Sequence, residues 1–195
     1  MTIPLDLIKE LREKTAVSIG ECKAALEETN GDIEKAILVL RKRGLETADR
    51  KLKRETREGI IAHYVHTNKK VGAIVELFCE TDFVARSSEF ESLGKDLAMQ
   101  VVAASPKALK PEDISEEELK QEKNIYREQL EKSGKPAEIV EKSLEGKTNK
   151  FKQENALLTQ PFIKDPTRKV EDVIKEVVAK LGENIQVGRF CRFQI

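Results

Sequence analysis

Apolar residues recur at helical spacing in three short segments at the start of the chain, which predicts three helices within about the first 45 residues. Ser18 followed by Glu21 forms a capping-box pattern before the second helix, and Asp32 is placed to cap the third. We expect Gly44 to end the third helix. The apolar positions on the three inner faces are Leu7, Ile8, Leu11, Cys22, Ala25, Leu26, Ile33, Ile37 and Leu40.

Alternation of apolar and polar residues replaces the helical spacing in the next part of the chain. Residues 60–65 and 71–79 have the period of two β-strands, and residues 67–70 supply a turn between them. Strand alternation places Leu77 and Phe78 on opposite faces of the second strand. A third alternating segment, residues 185–195, predicts one more strand at the end of the chain.

Helical spacing returns between the second and third predicted strands. The second strand ends at Thr81-Asp82, where a helix begins whose inner stripe is Phe90, Leu93, Leu97 and Val101. Residues 112–154 alternate in charge around a thin apolar seam, which predicts a helical hairpin that projects from the body. Residues 161–166 predict an irregular crossing, and residues 170–181 predict an amphipathic helix ended by Gly182. The seam consists of Ile125, Leu130, Ile139, Val140 and Leu144.

The order of these elements predicts an α+β protein in two parts. We expect residues 1–54 to form a three-helix domain followed by a basic linker. Residues 55–195 are expected to form a core with a three-stranded, mostly antiparallel sheet packed by helices, with the helical hairpin inserted at about 112–154.

Composition and charge limit which partners and which cellular compartment we expect for this protein. The chain has 195 residues, with 35 Lys+Arg against 35 Asp+Glu, so its formal net charge is zero. Bulk attraction to nucleic acid or to an anionic membrane is therefore not expected. The three cysteines are far apart and odd in number, and the charged first turn does not resemble a signal peptide. Both observations favour a reducing, cytoplasmic location.

Residues 41–58 form a locally basic stretch, with eight basic residues against four acidic ones. Such a stretch is typical of a solvated helix or of a linker that joins two domains. It also fits a surface that steers an acidic partner electrostatically. RNA contact is a weaker alternative, because no aromatic residue is interleaved to stack on bases.

The familiar motifs of catalysis are missing. The sequence has no P-loop, no dinucleotide-binding glycine pattern, no HExxH and no GxSxG, so no enzyme, metal site or cofactor is expected. The class of function that remains is a binding protein. Such a protein either acts on one partner or serves as an interaction module or chaperone-like scaffold. From the residues alone, either Asp82 or Thr81 can cap the helix, and Phe83 in the segment Thr81-Asp82-Phe83-Val84 either packs in the core, with Asp82 as cap, or projects from the surface.

Three segments, in order along the chain, resemble the signatures of the elongation factor Ts family. Residues 11–15 (LREKT), running on to Leu26, resemble the N-terminal signature. Residues 76–86 (ELFCETDFVAR) are similar to the second signature, and residues 182–185 (GENI) with Arg189-Phe190 are similar to the C-terminal strand. The matches span nearly the whole chain. The first three helices then resemble the ubiquitin-associated-like domain that opens this family.

The resemblance implies a guanine nucleotide exchange factor for elongation factor Tu, which promotes GDP release by disturbing the magnesium site of that GTPase. The residues implied to enter the partner beside its nucleotide are Asp82 and Phe83, positioned by Thr81 and Val84. The N-terminal domain is implied to dock on the partner, which carries over to Arg12 and Ile19.

Short members of the family carry one core subdomain and act as homodimers, which is therefore expected here, with the exposed sheet edge as the expected site of pairing. Such pairing is expected to bring Cys191 on the last strand near its mate, but a reducing location disfavours a crosslink between them, which non-reducing electrophoresis tests. The chain departs from the family pattern at Phe78, where Asn is usual, and at Ile19-Gly20, where two methionines are frequent.

Overall fold

The computed structural model describes residues 3–15, 17–52, 54–131 and 137–195. The helices are α1 (Leu5–Thr15), α2 (Ile19–Glu28), α3 (Ile33–Lys51), α4 (Asp82–Ala85), α5 (Ser88–Ala104), α6 (Glu116–Glu131), α7 (Ala137–Asn155) and α8 (Val170–Leu181). The strands are β1 (Glu58–Val65), β2 (Val71–Cys79), β3 (Pro161–Phe162), β4 (Asp165–Lys169) and β5 (Gln186–Gln194). Short 3₁₀ turns occur at Pro111–Asp113 and Leu157–Thr159. The expected α+β class is confirmed.

The chain divides into two compact units, each assembled from segments that are far apart in sequence. The first unit contains Met1–Gly59, Phe78–Glu91 and Asp172–Gln186. The second contains Ile60–Leu77, Ser92–Glu171 and Val187–Ile195. The boundary expected between residues 54 and 55 stays a prediction.

In the first unit, α1, α2 and α3 pack on one another as predicted. The caps are confirmed: the Ser18 hydroxyl accepts a hydrogen bond from the Glu21 amide, and the Asp32 carboxylate accepts one from the Lys35 amide. The buried side chains shared by these helices are Ile3, Ile8, Leu11, Cys22, Ala25, Leu26, Ala36 and Leu40.

The prediction that Gly44 ends the third helix is wrong, since α3 continues through it to Lys51. A Cβ atom at position 44 would lie 3.1 Å from the Cβ of Ala179 on α8. The glycine therefore marks a close approach of two helices rather than a helix end. Beside it, Arg41 Nε lies 2.8 Å from a carboxylate oxygen of Glu176 on α8.

The main sheet has the strand order β1-β2-β5 and is antiparallel, with β2 in the centre. Its inner face carries Ala62, Ala73, Val75, Leu77 and Cys79, all buried. The outer face carries exposed Ile61, Ile74, Phe78 and Phe193. The predicted opposition of Leu77 and Phe78 is therefore confirmed.

In the second unit, α6 and α7 pack against each other, as the helical hairpin predicted at 112–154 requires. Leu130, Val140 and Leu144 are buried between them, but Ile125 and Ile139 are each 49% exposed, so the predicted seam is wrong at these two positions. The partly buried ring of Tyr126 packs against the buried cluster instead. Gly134, Lys135 and Pro136, whose residue types predict the turn of this hairpin, lie outside the described residues.

The segment expected to be an irregular crossing is a small antiparallel hairpin of β3 and β4. Its two prolines, Pro161 and Pro166, hide the strand pattern from a reading of the sequence. The buried side chain of Gln100 adds hydrogen bonds to the few that the two short strands form with each other. Its Oε1 accepts a hydrogen bond from the amide of Ile163 at 2.8 Å, and its Nε2 donates to the carbonyl of Pro161 at 3.1 Å.

Candidate partner-binding site

The segment Thr81–Val84 forms a sharp turn where β2 ends and α4 begins. The Thr81 hydroxyl accepts a hydrogen bond from the amide of Val84 at 3.4 Å, so Thr81, rather than Asp82, is the helix cap. Asp82 is the first residue of α4, and its Oδ2 pairs with Nη2 of Arg86 at 3.1 Å. The four site residues expected at this junction therefore lie together on one capped turn.

Phe83 projects from this turn with 83% of its surface exposed. The alternative that Phe83 packs in the core is therefore wrong. Ala85, two residues further, is the buried side chain of α4, and Val84 is half-buried. Because its apolar ring is held in solvent on a capped turn, Phe83 is a candidate for contact with a partner.

A second cap separates α4 from α5, where the sequence predicts one helix. The Ser87 hydroxyl donates to the carbonyl of Val84 at 2.8 Å and accepts from the amide of Phe90 at 3.3 Å. Phe90 is fully buried, so it fixes the start of α5 beneath the turn. The break lets Phe83 point outward while Phe90 points inward.

Glu183, two residues after the end of α8, holds the turn through hydrogen bonds to its carboxylate. Its Oε2 accepts hydrogen bonds from the amides of Glu80 at 3.1 Å and Thr81 at 3.0 Å. Its Oε1 accepts the hydroxyl proton of Thr81 at 2.6 Å. No local pattern gives Glu183 a role, although it lies in the GENI segment, because 102 residues separate it from Thr81.

The residues on either side of Glu183 bind the same region. The amide of Asn184 donates to Oε1 of Glu80 at 2.6 Å, and Nδ2 of the buried Asn184 donates to the carbonyl of Arg54 at 2.7 Å. Nζ of Lys51 donates to the carbonyl of Gly182 at 2.8 Å. Residues 182–184 therefore tie the turn to the C-terminal end of α3 and to Arg54 just beyond it.

Cys79, at the end of β2, is buried, and its thiol takes part in the turn as a hydrogen-bond donor. Burial raises the pKa of its thiol to about 11, and the negative charge of Glu183 adds to this effect. At neutral pH the thiol stays protonated and donates to the carbonyl of Thr81 at 3.2 Å.

The two residues expected to dock the N-terminal domain lie on other elements of the first unit. Arg12 is exposed on α1, and Ile19, the first residue of α2, is 54% exposed. A Cβ atom added at the neighbouring Gly20 would meet nothing within 4 Å, so the surface there is open. Across the described ranges, no group of three or more potential metal ligands occurs, and no helix is long and apolar enough to span a membrane.

The sequence matches a known protein family over nearly its whole length. The family model described as Elongation factor TS matches residues 8–195. The chain belongs to the elongation factor Ts family. It is 58% identical over 193 residues to elongation factor Ts of Thermosipho melanesiensis, which covers 99% of this chain and 98% of that protein. It is 52% identical over 195 residues to elongation factor Ts of Thermodesulfovibrio yellowstonii, which covers 100% of this chain and 97% of that protein.

Membership of the elongation factor Ts family confirms the expected role in translation elongation, nucleotide exchange on elongation factor Tu. The non-exchanging interaction module or chaperone-like scaffold is not favoured. The exposed turn that carries Phe83 coincides with the segment that resembles the second family signature.

Proposed function

We propose that this protein releases GDP from elongation factor Tu in the cytoplasm by inserting Phe83 beside the nucleotide site of that GTPase. The observation that carries the proposal is the 83% exposure of Phe83 on a turn fixed by Thr81. Such a side chain already has the conformation that a wedge needs, so little ordering is required on binding.

The proposed mechanism needs no covalent step. Magnesium and the phosphates hold much of the nucleotide's affinity for a GTPase, so a wedge that disturbs their surroundings weakens GDP binding. Linkage then requires that nucleotide and exchange factor weaken each other by the same factor. Asp82 lies beside the wedge, and its half-exposed carboxylate is available to the partner once its surface pair with Arg86 opens.

We further propose that Arg12 and Ile19 dock the first unit on the partner. Both side chains are exposed on neighbouring helices, and isoleucine and arginine offer an apolar contact and a fork of hydrogen-bond donors. Docking at a second surface raises the effective concentration of Phe83 at the nucleotide site.

We also propose that two copies of the chain pair through their main sheets, at the exposed edge expected from the sequence together with the adjoining outer face. Ile61 and Ile74 are exposed there beside a hollow of about 310 Å³ lined in part by Cys191, and Phe193 lines a neighbouring hollow of about 360 Å³ that also contacts Ile74. The charged residues within this face already pair with each other, since Nε of Arg189 lies 3.0 Å from Oε1 of Glu76. A paired charge costs less to bury than an isolated one.

Release of a fluorescent GDP analogue from elongation factor Tu of the same organism tests the exchange mechanism. We expect strong acceleration by the wild-type protein and a loss of more than about tenfold in Phe83→Ala, because a central aromatic side chain carries much of a contact's energy. Asp82→Ala is expected to lose less. Circular dichroism checks that each variant is folded.

Ile125→Ala is the matched control, because it removes an exposed apolar side chain from α6 rather than from the turn. It should exchange at the wild-type rate. Failure of the wild-type protein to accelerate release would contradict the exchange function. Full activity in folded Phe83→Ala would leave the family assignment standing and remove the wedge.

A further inference from the structure

We propose that Glu183 is a positioning residue that holds the Thr81 turn, and through it Phe83, in the geometry needed for exchange. The inference rests on the proposed function of Phe83 and extends it to a residue about a hundred positions away. It begins from one carboxylate that accepts three hydrogen bonds from two consecutive residues, Glu80 and Thr81. Hydrogen bonds to an ionised acceptor are about twice as strong as neutral ones.

The bond to the Thr81 hydroxyl determines how α4 is capped. A hydroxyl has one proton to donate, and here it goes to Oε1 of Glu183 at 2.6 Å. The oxygen's lone pairs are then left to accept the amide proton of Val84 at 3.4 Å. Without the carboxylate the hydroxyl is free to rotate and the cap is weakened. Because Phe83 lies between Thr81 and Val84, the cap and the wedge share one short loop.

Glu183 is itself held in place on both sides. Gly182 adopts a φ of +81°, a left-handed conformation that ends α8 and suits glycine. Its carbonyl accepts a hydrogen bond from the ammonium group of Lys51. On the other side, the amide of Asn184 donates to Oε1 of Glu80. The segments 80–81 and 182–184 thus brace each other through bonds in both directions, which distinguishes this arrangement from a single surface contact.

The geometry also predicts which substitutions matter. A glutamine at position 183 keeps the shape but has only one oxygen, so it cannot accept all three bonds at the observed positions. Thr81→Val removes the hydroxyl from the same bond, whereas Thr81→Ser keeps it. Glu183→Gln and Thr81→Val should therefore behave alike, and Thr81→Ser should behave like the wild type.

Exchange kinetics separate positioning of the wedge from binding elsewhere. We expect Glu183→Gln to lower the maximal rate of GDP release about tenfold, while the half-saturating concentration changes less than about twofold, because docking through Arg12 and Ile19 is untouched. Glu145→Gln, which makes the same charge change on an exposed part of α7, should leave both quantities unchanged.

A double-mutant cycle with Phe83→Ala decides whether Glu183 acts through the wedge. If it does, Glu183→Gln has little further effect on the exchange rate in the Phe83→Ala background. An equal loss in both backgrounds, or no loss in the wild-type background, would overturn the inference.

Amide hydrogen exchange supplies a readout that does not depend on the partner. Glu183→Gln should speed exchange at the amides of Glu80, Thr81 and Val84 at least about tenfold, and leave the protection of α2 and α7 unchanged. If the protection of these amides is unchanged in Glu183→Gln, the inference is wrong, whether or not the protein releases GDP from its partner. If amide hydrogen exchange at the turn is faster but the wild-type protein does not accelerate GDP release, only the proposed function is contradicted.

Discussion

Two glycines inside helices show how differently single residues of one type are used. A Cβ atom at Gly94 of α5 would lie 2.7 Å from the Cβ of Ala62 and 3.3 Å from Cδ1 of Ile60. A Cβ atom at Gly146 of α7 would meet nothing within 4 Å. Gly94 therefore allows α5 to approach the sheet, whereas Gly146 only lowers the helical propensity of α7.

We expect Gly94→Ala and Gly146→Ala to change stability in opposite directions. The overlap with Ala62 cannot be relieved by a flexible side chain, so Gly94→Ala should lower the free energy of unfolding by about 1–3 kcal/mol. Gly146→Ala should raise it by about 1 kcal/mol through helix propensity. Urea denaturation of both variants measures the two changes. A stabilised Gly94→Ala would contradict the close approach of α5.

At the same scale, the sequence indicated the turn itself but not the distant residues that support it. The strand-to-helix junction and its cap follow from the local pattern at Thr81-Asp82. Whether Phe83 was buried did not follow, because an apolar residue in a first turn is compatible with either environment. Glu183 lay beyond such reasoning altogether, since its hydrogen bonds depend on how distant segments meet.

Among the elements, α8 and α5 are joined by an ion pair that depends on pH. Nζ of Lys180 lies 3.0 Å from Oε1 of Glu89. The hydrogen bond from Lys180 lowers the pKa of Glu89 from its ordinary value of 4.5 to about 2, and the Ser88 hydroxyl adds to the effect. A carboxylate with a lowered pKa stabilises the fold above its ordinary pKa, and this contribution is lost as the pH falls towards the lowered value.

We therefore expect Glu89→Gln to lower the Tm at neutral pH, with a difference from wild type that narrows between about pH 4.5 and about pH 2. The difference should also shrink at high salt, because the pair is half-exposed. Thermal unfolding followed by circular dichroism at several pH values measures it. Glu91→Gln, two residues further along α5, is the control. A difference that widens on acidification would refute the assignment.

Elements with strong local signals were predicted well, and those set by packing were not. The caps of α2 and α3 and the glycine end of α8 follow from neighbouring residues. The continuation of α3 through Gly44 depends on the close approach of Ala179, which no local pattern reveals. The β3–β4 hairpin depends likewise on the side chain of Gln100.

For the molecule as a whole, the open outer face of the main sheet predicts self-association. We expect analytical ultracentrifugation to give a dimer for the wild type and a monomer for Phe193→Glu, because a buried charge without a partner opposes pairing. The Tm of the wild type should rise with protein concentration, and that of Phe193→Glu should not.

The matched control is Phe83→Ala, which removes an exposed phenylalanine outside the sheet and should leave the dimer intact. A monomeric wild type at micromolar concentration would contradict the pairing. A dimer in Phe193→Glu would place the interface elsewhere.

At this largest scale, the order of strands and helices was enough to predict the α+β class and the three-stranded sheet. The division into compact units was not evident, because each unit collects segments from the start, middle and end of the chain. Hydrophobic periodicity reports which face of an element is buried, but not which distant element covers it.

The hydrogen bonds between the Thr81 turn and residues 182–184 have a consequence for the protein during its synthesis. The ribosome makes the chain from the N-terminus, so Phe83 emerges long before Glu183 does. The carboxylate that accepts the hydrogen bonds of the turn follows Thr81 by 102 residues. A nascent chain that has not yet reached residue 183 therefore carries Phe83 without the carboxylate that we propose positions it.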